Sequence, residues 1–215
     1  PAIMFKNSQC PVVIGPNRIQ AAKHLMENTD SNVILSDDGL QHFSLGRDIE
    51  ILMIDGNRKF GNELLLPAGP LREPKSRIKT VDFTISSNRK WPSVAKYEMK
   101  YRPFKWVHMK SQKEYDIFDW PLKKEVNAVA GIGNPSNFFN LLKQLGFDIS
   151  EYAFPDHHDF HSVDFEIMDN QPTVMTEKDA IKCSFLDHTN YWYLKIEAEV
   201  SDNFEQDFLA EIKSK

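Results

Sequence analysis

Short apolar runs that stop at a breaker or an acid constrain the fold of this chain most. Val12-Val13-Ile14 follows Pro11 and stops at Gly15-Pro16. Asn32 to Ser36 runs into Asp37-Asp38-Gly39, and Asp48 to Asp55 carries Ile-Glu-Ile-Leu-Met-Ile before its closing acid. Val81 to Ser86 is a fourth run. Each reads as a short buried strand. Between the first two, residues 17–28 place Ile19, Ala22, Leu25 and Met26 at helical spacing. Strands alternating with a helix predict a parallel α/β sheet. Ligands on such sheets sit beyond the carboxyl ends of the strands, where Asp37, Asp38 and Asp55 lie.

The chain changes character from Tyr97 to about Glu125, where alternation in Tyr97–Tyr101 and Phe104–Met109 reads as a hairpin linker. Asn127 to Gly131 starts a new strand. Gly131-Ile132-Gly133-Asn134-Pro135 turns it, and an amphipathic helix follows over 136–145. Strands at 173–175 and 191–196 and a terminal helix over 204–213 complete the reading. The predicted division is 1–90, a linker over 91–125, and a smaller α/β domain over 126–215.

With 215 residues there is enough interior for a real core. Lys and Arg number 26 against 31 Asp and Glu, a net charge of −5, which argues against a dedicated nucleic-acid binder. Cys10 and Cys183 are in no metal-ligand spacing and read as reduced thiols. No apolar run approaches the roughly 20 residues of a spanning helix.

Four clusters have chemical potential. In Asp37-Asp38-Gly39-Leu40-Gln41-His42, paired acids at a strand end suit Mg²⁺, which needs hard oxygen ligands and keeps several waters. The same dipeptide also suits a helix cap and turn. In Leu66-Pro67-Ala68-Gly69-Pro70-Leu71-Arg72-Glu73-Pro74, prolines stiffen the loop that projects Arg72 and Glu73. A fixed guanidinium suits a phosphate, and Glu73 could bind metal or orient Arg72; a structural turn with a surface ion pair is the alternative. Asp156-His157-His158-Asp159-Phe160-His161 gathers ionisable groups without a cysteine, so a proton relay or phosphate contact fits better than zinc; a polar helix start is also open. Gly131–Pro135 matches G-x-G-x-x-G incompletely, since position 136 is Ser, and favours tight strand-to-helix packing over a nucleotide contact. Thr176-Glu177-Lys178-Asp179 reads as a capped helix start.

Read together, Val-Ile-Leu-Ser-Asp-Asp-Gly-Leu-Gln-His (33–42), Leu-Gly-Arg-Asp-Ile-Glu-Ile (45–51) and Phe-Gly-Asn-Glu-Leu-Leu-Leu-Pro-Ala-Gly-Pro-Leu-Arg-Glu-Pro (60–74) closely resemble the tetraacyldisaccharide 4'-kinase family. Gly-Ile-Gly-Asn-Pro (131–135), Phe-Pro-Asp-His-His-Asp-Phe (154–160) and Met-Thr-Glu-Lys-Asp-Ala (175–180) follow in the family's order. One departure is Glu63, where the family commonly has glycine; little effect is expected from it.

The resemblance implies a partial P-loop-type parallel sheet with flanking helices, a two-stranded linker and a second smaller α/β domain. It implies ATP and Mg²⁺ as cofactors, and a tetraacylated glucosamine disaccharide 1-phosphate, the lipid A precursor, as acceptor at its 4'-hydroxyl. Asp37 and Asp38 take the Walker-B-like position as catalytic and metal-binding candidates. Gln41 and His42 line the site, and Arg72 and Glu73 approach phosphate or metal. His157 supports the proton-accepting side. The chain holds no G-x-x-x-x-G-K-[ST] run, and Pro1-Ala2-Ile3 resembles the stretch after the family's upstream acid. The phosphate cradle, that acid and a membrane-facing helix are therefore expected upstream, with peripheral attachment to the cytoplasmic side of the bacterial inner membrane. Residues 1–215 alone are expected to be inactive. The alternatives are a non-catalytic nucleotide- or lipid-binding module and, lower, an α/β hydrolase on Asp156 and His157, which lacks a G-x-S-x-G turn.

Overall fold

The computed structural model describes residues 2–168, 170–186, 190–201 and 203–215. In chain order it contains α1 (Ala2–Asn7), α2 (Arg18–Asn28), β1 (Ile51–Asp55), a 3-10 turn (Lys75–Lys79), β2 (Phe83–Ser87), β3 (Tyr97–His108), β4 (Glu114–Asp116) and β5 (Glu125–Ala130). There follow α3 (Pro135–Gln144), β6 (Asp148–Ala153), α4 (Val163–Glu166), β7 (Thr173–Thr176), α5 (Glu177–Ala180), a 3-10 turn (Ile181–Cys183), β8 (Tyr191–Val200) and α6 (Asn203–Ser214).

The chain forms two compact units. One comprises Cys10–Arg102 with Ala198–Lys215, the other Pro1–Gln9 with Pro103–Glu197. They are drawn differently from the three predicted segments. Residues 91–102 belong with the first half and 103–125 with the second, and the terminal helix joins the first unit rather than the second.

In the unit that holds residues 10–102, β1 pairs parallel with β2 (Ile51↔Phe83) and β2 pairs parallel with the start of β3 (Ile85↔Tyr97). Phe83, Ile85, Tyr97 and Met99 point to one face, where Phe204 and Phe208 of α6 cover them. The helix predicted over 17–28 is α2. Asn17 caps it by accepting hydrogen bonds from the amides of Ile19 and Gln20, both at 3.1 Å, an arrangement worth about 1 kcal/mol. Two predicted strands do not form. Residues 12–14 and 32–36 make no ladder among the described residues, and Ile14, Val33, Ile34 and Leu35 stay exposed. An apolar run becomes a strand only when a neighbour takes up its backbone hydrogen bonds, and here none does.

In the other unit, strands run in the order β3-β8-β7-β5-β6, with β4 antiparallel to β3 as the predicted hairpin (Lys105↔Asp116). β5 is parallel to both β6 and β7, and β7 to β8. Alternate residues build a core on each face, as the period of two requires. Val126, Ala128, Ala130, Val174, Trp192 and Leu194 pack with α3. Val129, Met175 and Tyr193 face the opposite side with Phe160, Phe165 and Cys183. α3 begins with Pro135 at its first turn and ends at Gly146, whose φ of +81° lets the amides of Gly146 and Phe147 reach back to Lys143 and Leu142. Both cysteines are unpaired; burial pushes the Cys183 thiol up to about 12, so it is inert.

Candidate functional site

The acids of the first unit sit in a tight turn after the extended segment. Asp38 occupies the left-handed region at φ +52°, an uncommon place for a non-glycine residue. Its Oδ2 lies 3.5 Å from Arg72 Nη1, with both side chains largely exposed. Arg72 Nη1 also reaches Gln41 Oε1 at 3.4 Å. The Gln41 amide in turn donates to Glu73 Oε1 at 2.7 Å. Thus Asp38, Gln41, Arg72 and Glu73 meet, although the two segments lie more than thirty residues apart in sequence.

The proline loop explains how Arg72 and Glu73 arrive there. It folds back on itself through backbone bonds from Leu66 N to Leu71 O (2.9 Å) and from Leu71 N to Leu64 O (3.1 Å). Gly69 is required at its bend: a Cβ there would lie 2.1 Å from Asn62 Oδ1 and 2.4 Å from the Leu64 carbonyl. Beneath the corner is a hollow of about 150 Å³ with Leu40, Leu52, Phe60, Leu71 and Ile78 in its wall.

Asp37 is exposed, and no described side chain bonds it. His42 is half-buried beside Gln41, its amide bonded to the Gly39 carbonyl at 3.0 Å. Asp55 takes a structural part instead. Its carboxylate accepts from the amides of Asn57 and Arg58 and from Asn88 Nδ2, closing the turn after β1.

Asp37, Asp38 and Glu73 are the metal candidates of the sequence. Among the described residues no group of three acids, histidines or cysteines is poised to hold a metal. Glu73 has both oxygens engaged, Oε1 by Gln41 and Oε2 by Arg77 Nε at 3.1 Å. These bonds fix its carboxylate between Gln41 and Arg77. Asp37 and Asp38 could hold Mg²⁺, for which one or two carboxylates and water suffice.

Asp156 and His157 belong to the other unit, in the turn after β6. His157 has φ +61°, its side chain is 74% exposed, and its Nε2 is 3.8 Å from Asp156 Oδ2. His158 turns the other way, stacked on Phe154 and bonded through Nε2 to Asp164 at 3.0 Å. Gly131 serves close packing: a Cβ there would meet Phe160 at 3.1 Å, whereas one on Gly133 would make only ordinary contact with Asp156 at 3.4 Å. Thr176 caps α5 as expected, accepting from Asp179 N.

The model of the tetraacyldisaccharide-1-P 4'-kinase family matches residues 1–213. The chain belongs to this family. The tetraacyldisaccharide 4'-kinase of Legionella pneumophila (strain Corby) is 45% identical over 97% of the chain, and that of Nitrosococcus oceani is 44% identical over 94%. The chain spans 63% and 59% of their respective lengths. A crystal structure of an "apo" form of LpxK from Aquifex aeolicus in complex with ATP superposes with a TM-score of 0.71 at 26% identity, covering 90% of this chain and 61% of that one.

In this member of the family the site has a second tier, whose side chains the sequence reading did not single out. Arg77, on the 3-10 turn, binds Glu73 and, through Nη2, Glu50 Oε1 at 2.5 Å. Glu50 also takes Arg47 Nε at 2.6 Å. Arg47 Nη1 then donates to the Gly39 and Leu40 carbonyls, both at 3.0 Å, returning to the turn that carries Asp38. The contacts close a ring around the acids and the arginine corner. The Glu50 hydrogen bond and charge raise the Arg77 pKa, so that guanidinium stays charged.

Proposed function

We propose that this chain supplies part of a kinase that transfers the γ-phosphoryl of ATP to the 4'-hydroxyl of a tetraacylated glucosamine disaccharide 1-phosphate. The observation that carries the reading, beside family membership, is the meeting of Asp38 and Arg72 at 3.5 Å over the bonded pair Gln41 and Glu73. Phosphoryl transfer is largely positioning and neutralisation of charge. Arg72, exposed on a fixed loop, is suited to hold phosphate oxygens bidentately. Asp37 and Asp38 would hold Mg²⁺, which when bound supplies charge neutralisation at the phosphate oxygens. Gln41, fixed by Glu73, orients Arg72, and His42 lines the same turn.

His157 is assigned to the proton-accepting side of the reaction. Its exposure and its Asp156 neighbour support that role. A four-chain acceptor resides in a lipid surface, so the reading includes peripheral work at the cytoplasmic face of the inner membrane; no described helix is long and apolar enough to cross a membrane. Residues 1–215 contain no P-loop run, and this reading assigns the phosphate cradle to the part of the relatives' length that the chain does not span.

The test is transfer of labelled phosphate from ATP to the lipid disaccharide by the whole protein, with and without Mg²⁺. His157→Ala is expected to lower kcat more than it raises KM. A whole protein that binds ATP but never transfers phosphate would instead be a non-catalytic binding module.

A further inference from the structure

Three motifs of the second unit have no part in the chemistry described so far: the glycine turn at 131–135, the Thr176–Ala180 segment, and His158. The structure joins them. Asp179 is 0% exposed. Its Oδ2 accepts from Gly131 N at 3.0 Å, at the end of β5, and from Thr176 Oγ1 at 2.7 Å, at the end of β7. Its Oδ1 has no hydrogen bond, and the Lys182 ammonium stands 3.5 Å away. That ammonium donates to the His158 carbonyl at 3.3 Å and lies 5.7 Å from the centre of the Phe160 ring. The His158 side chain is fixed in turn by Asp164, which also accepts from the His161 amide at 2.9 Å.

A carboxylate with no exposure and a half-satisfied oxygen is costly unless a cation stands by it. Lys182 meets that need and spends its remaining reach on the carbonyl of His158, the residue after His157 in the same turn. We infer that Lys182, anchored by Asp179, is a positioning residue that holds the Asp156-His157 turn in place for the reaction. The inference rests on the role proposed for His157. Lys182 itself touches no substrate in this account. Gly131 admits Phe160 against the end of β5, and Asp179 bonds both strand ends. The turn is thereby mounted on both β5 and β7, and His157 keeps its left-handed backbone while remaining exposed.

The experiment uses the whole enzyme carrying Lys182→Met, Lys182→Arg, or the neutral pair Asp179→Asn with Lys182→Met. The neutral pair removes the tie without stranding a buried charge, so it serves if Lys182→Met alone fails to fold. Imidazole NMR signals of His157 and His158 report the turn directly. Steady-state kinetics report its consequence. The expected result is shifted His157 and His158 signals with kcat down about tenfold or more, KM for ATP and lipid within about twofold, and recovery to within about threefold in Lys182→Arg. Unmoved histidine signals in a folded variant would overturn the inference, as would a loss confined to KM. His157→Ala, run beside them, separates the two claims. If it leaves kcat intact while the signals still move, the assignment of His157 fails and the mounting role of Lys182 stands.

Discussion

The Gln41 side-chain amide donates to Glu73 Oε1 at 2.7 Å, joining the turn that carries the paired acids to the corner that carries Arg72. Because Arg77 holds the other Glu73 oxygen, Gln41 cannot rotate without breaking a bond to a fixed partner. A double-mutant cycle of Gln41→Ala and Glu73→Ala in the whole enzyme should therefore show coupling of about 1 kcal/mol or more in kcat/KM. Additive effects would mean the two act separately.

Glu63 has φ +64°, in the left-handed region that favours glycine. The expectation that Glu63 matters little does not allow for that conformation. Its ion pair with Lys75 at 2.6 Å is largely exposed and worth little in compensation. Glu63→Gly should stabilise the fold by about 1 kcal/mol, the cost of left-handed backbone for an ordinary residue, measured by denaturant unfolding. A loss of stability would show that the ion pair outweighs the strain.

Asp164 titrates below its usual 3.8, chiefly because the His161 amide bonds its carboxylate, with His158 adding to the effect. A depressed folded-state value adds stability above 3.8 that is lost as pH falls through the lower folded value. The stability gap between wild type and Asp164→Asn should be constant near neutrality and shrink below about pH 4. A gap that widens in acid would contradict the assignment.

Ile14, Leu35 and Phe43 are exposed in the first unit, Leu35 at 74%. Residues 1–215 alone should bind a hydrophobic dye and self-associate. Leu35→Ser should reduce both while changing unfolding free energy by less than about 0.5 kcal/mol. Unchanged dye binding would place the sticky surface elsewhere.

These residues also mark where sequence reading works and where it stops. β5 and α3 were legible because Val126 to Ala130 is apolar but for Asn127, and Phe138, Phe139 and Leu142 recur at helical spacing, closed by Gly146. Val33-Ile34-Leu35 has the same apolar character but no partner strand, and a strand is a property of the pair rather than of the segment. β6 escaped notice because Asp-Ile-Ser-Glu-Tyr-Ala is a half-exposed edge strand with weak patterning. Asp37-Asp38 and Arg72-Glu73 each stood out locally, and the structure adds their proximity. Arg47 and Glu50 lie in the 45–51 run without a chemical pattern of their own, and Arg77 carried no local signal. Arg77 and Glu50 meet across 27 residues of chain, and only the fold pairs them.

The central claim is that the acids beside Arg72 serve phosphoryl transfer. Its most direct test is the single-turnover rate of lipid phosphorylation by the whole enzyme carrying Asp38→Ala at saturating ATP and Mg²⁺. The account predicts a fall of about 100-fold or more, the scale of losing one electrostatic stabiliser of a transition state. A rate within a few-fold of wild type would contradict it.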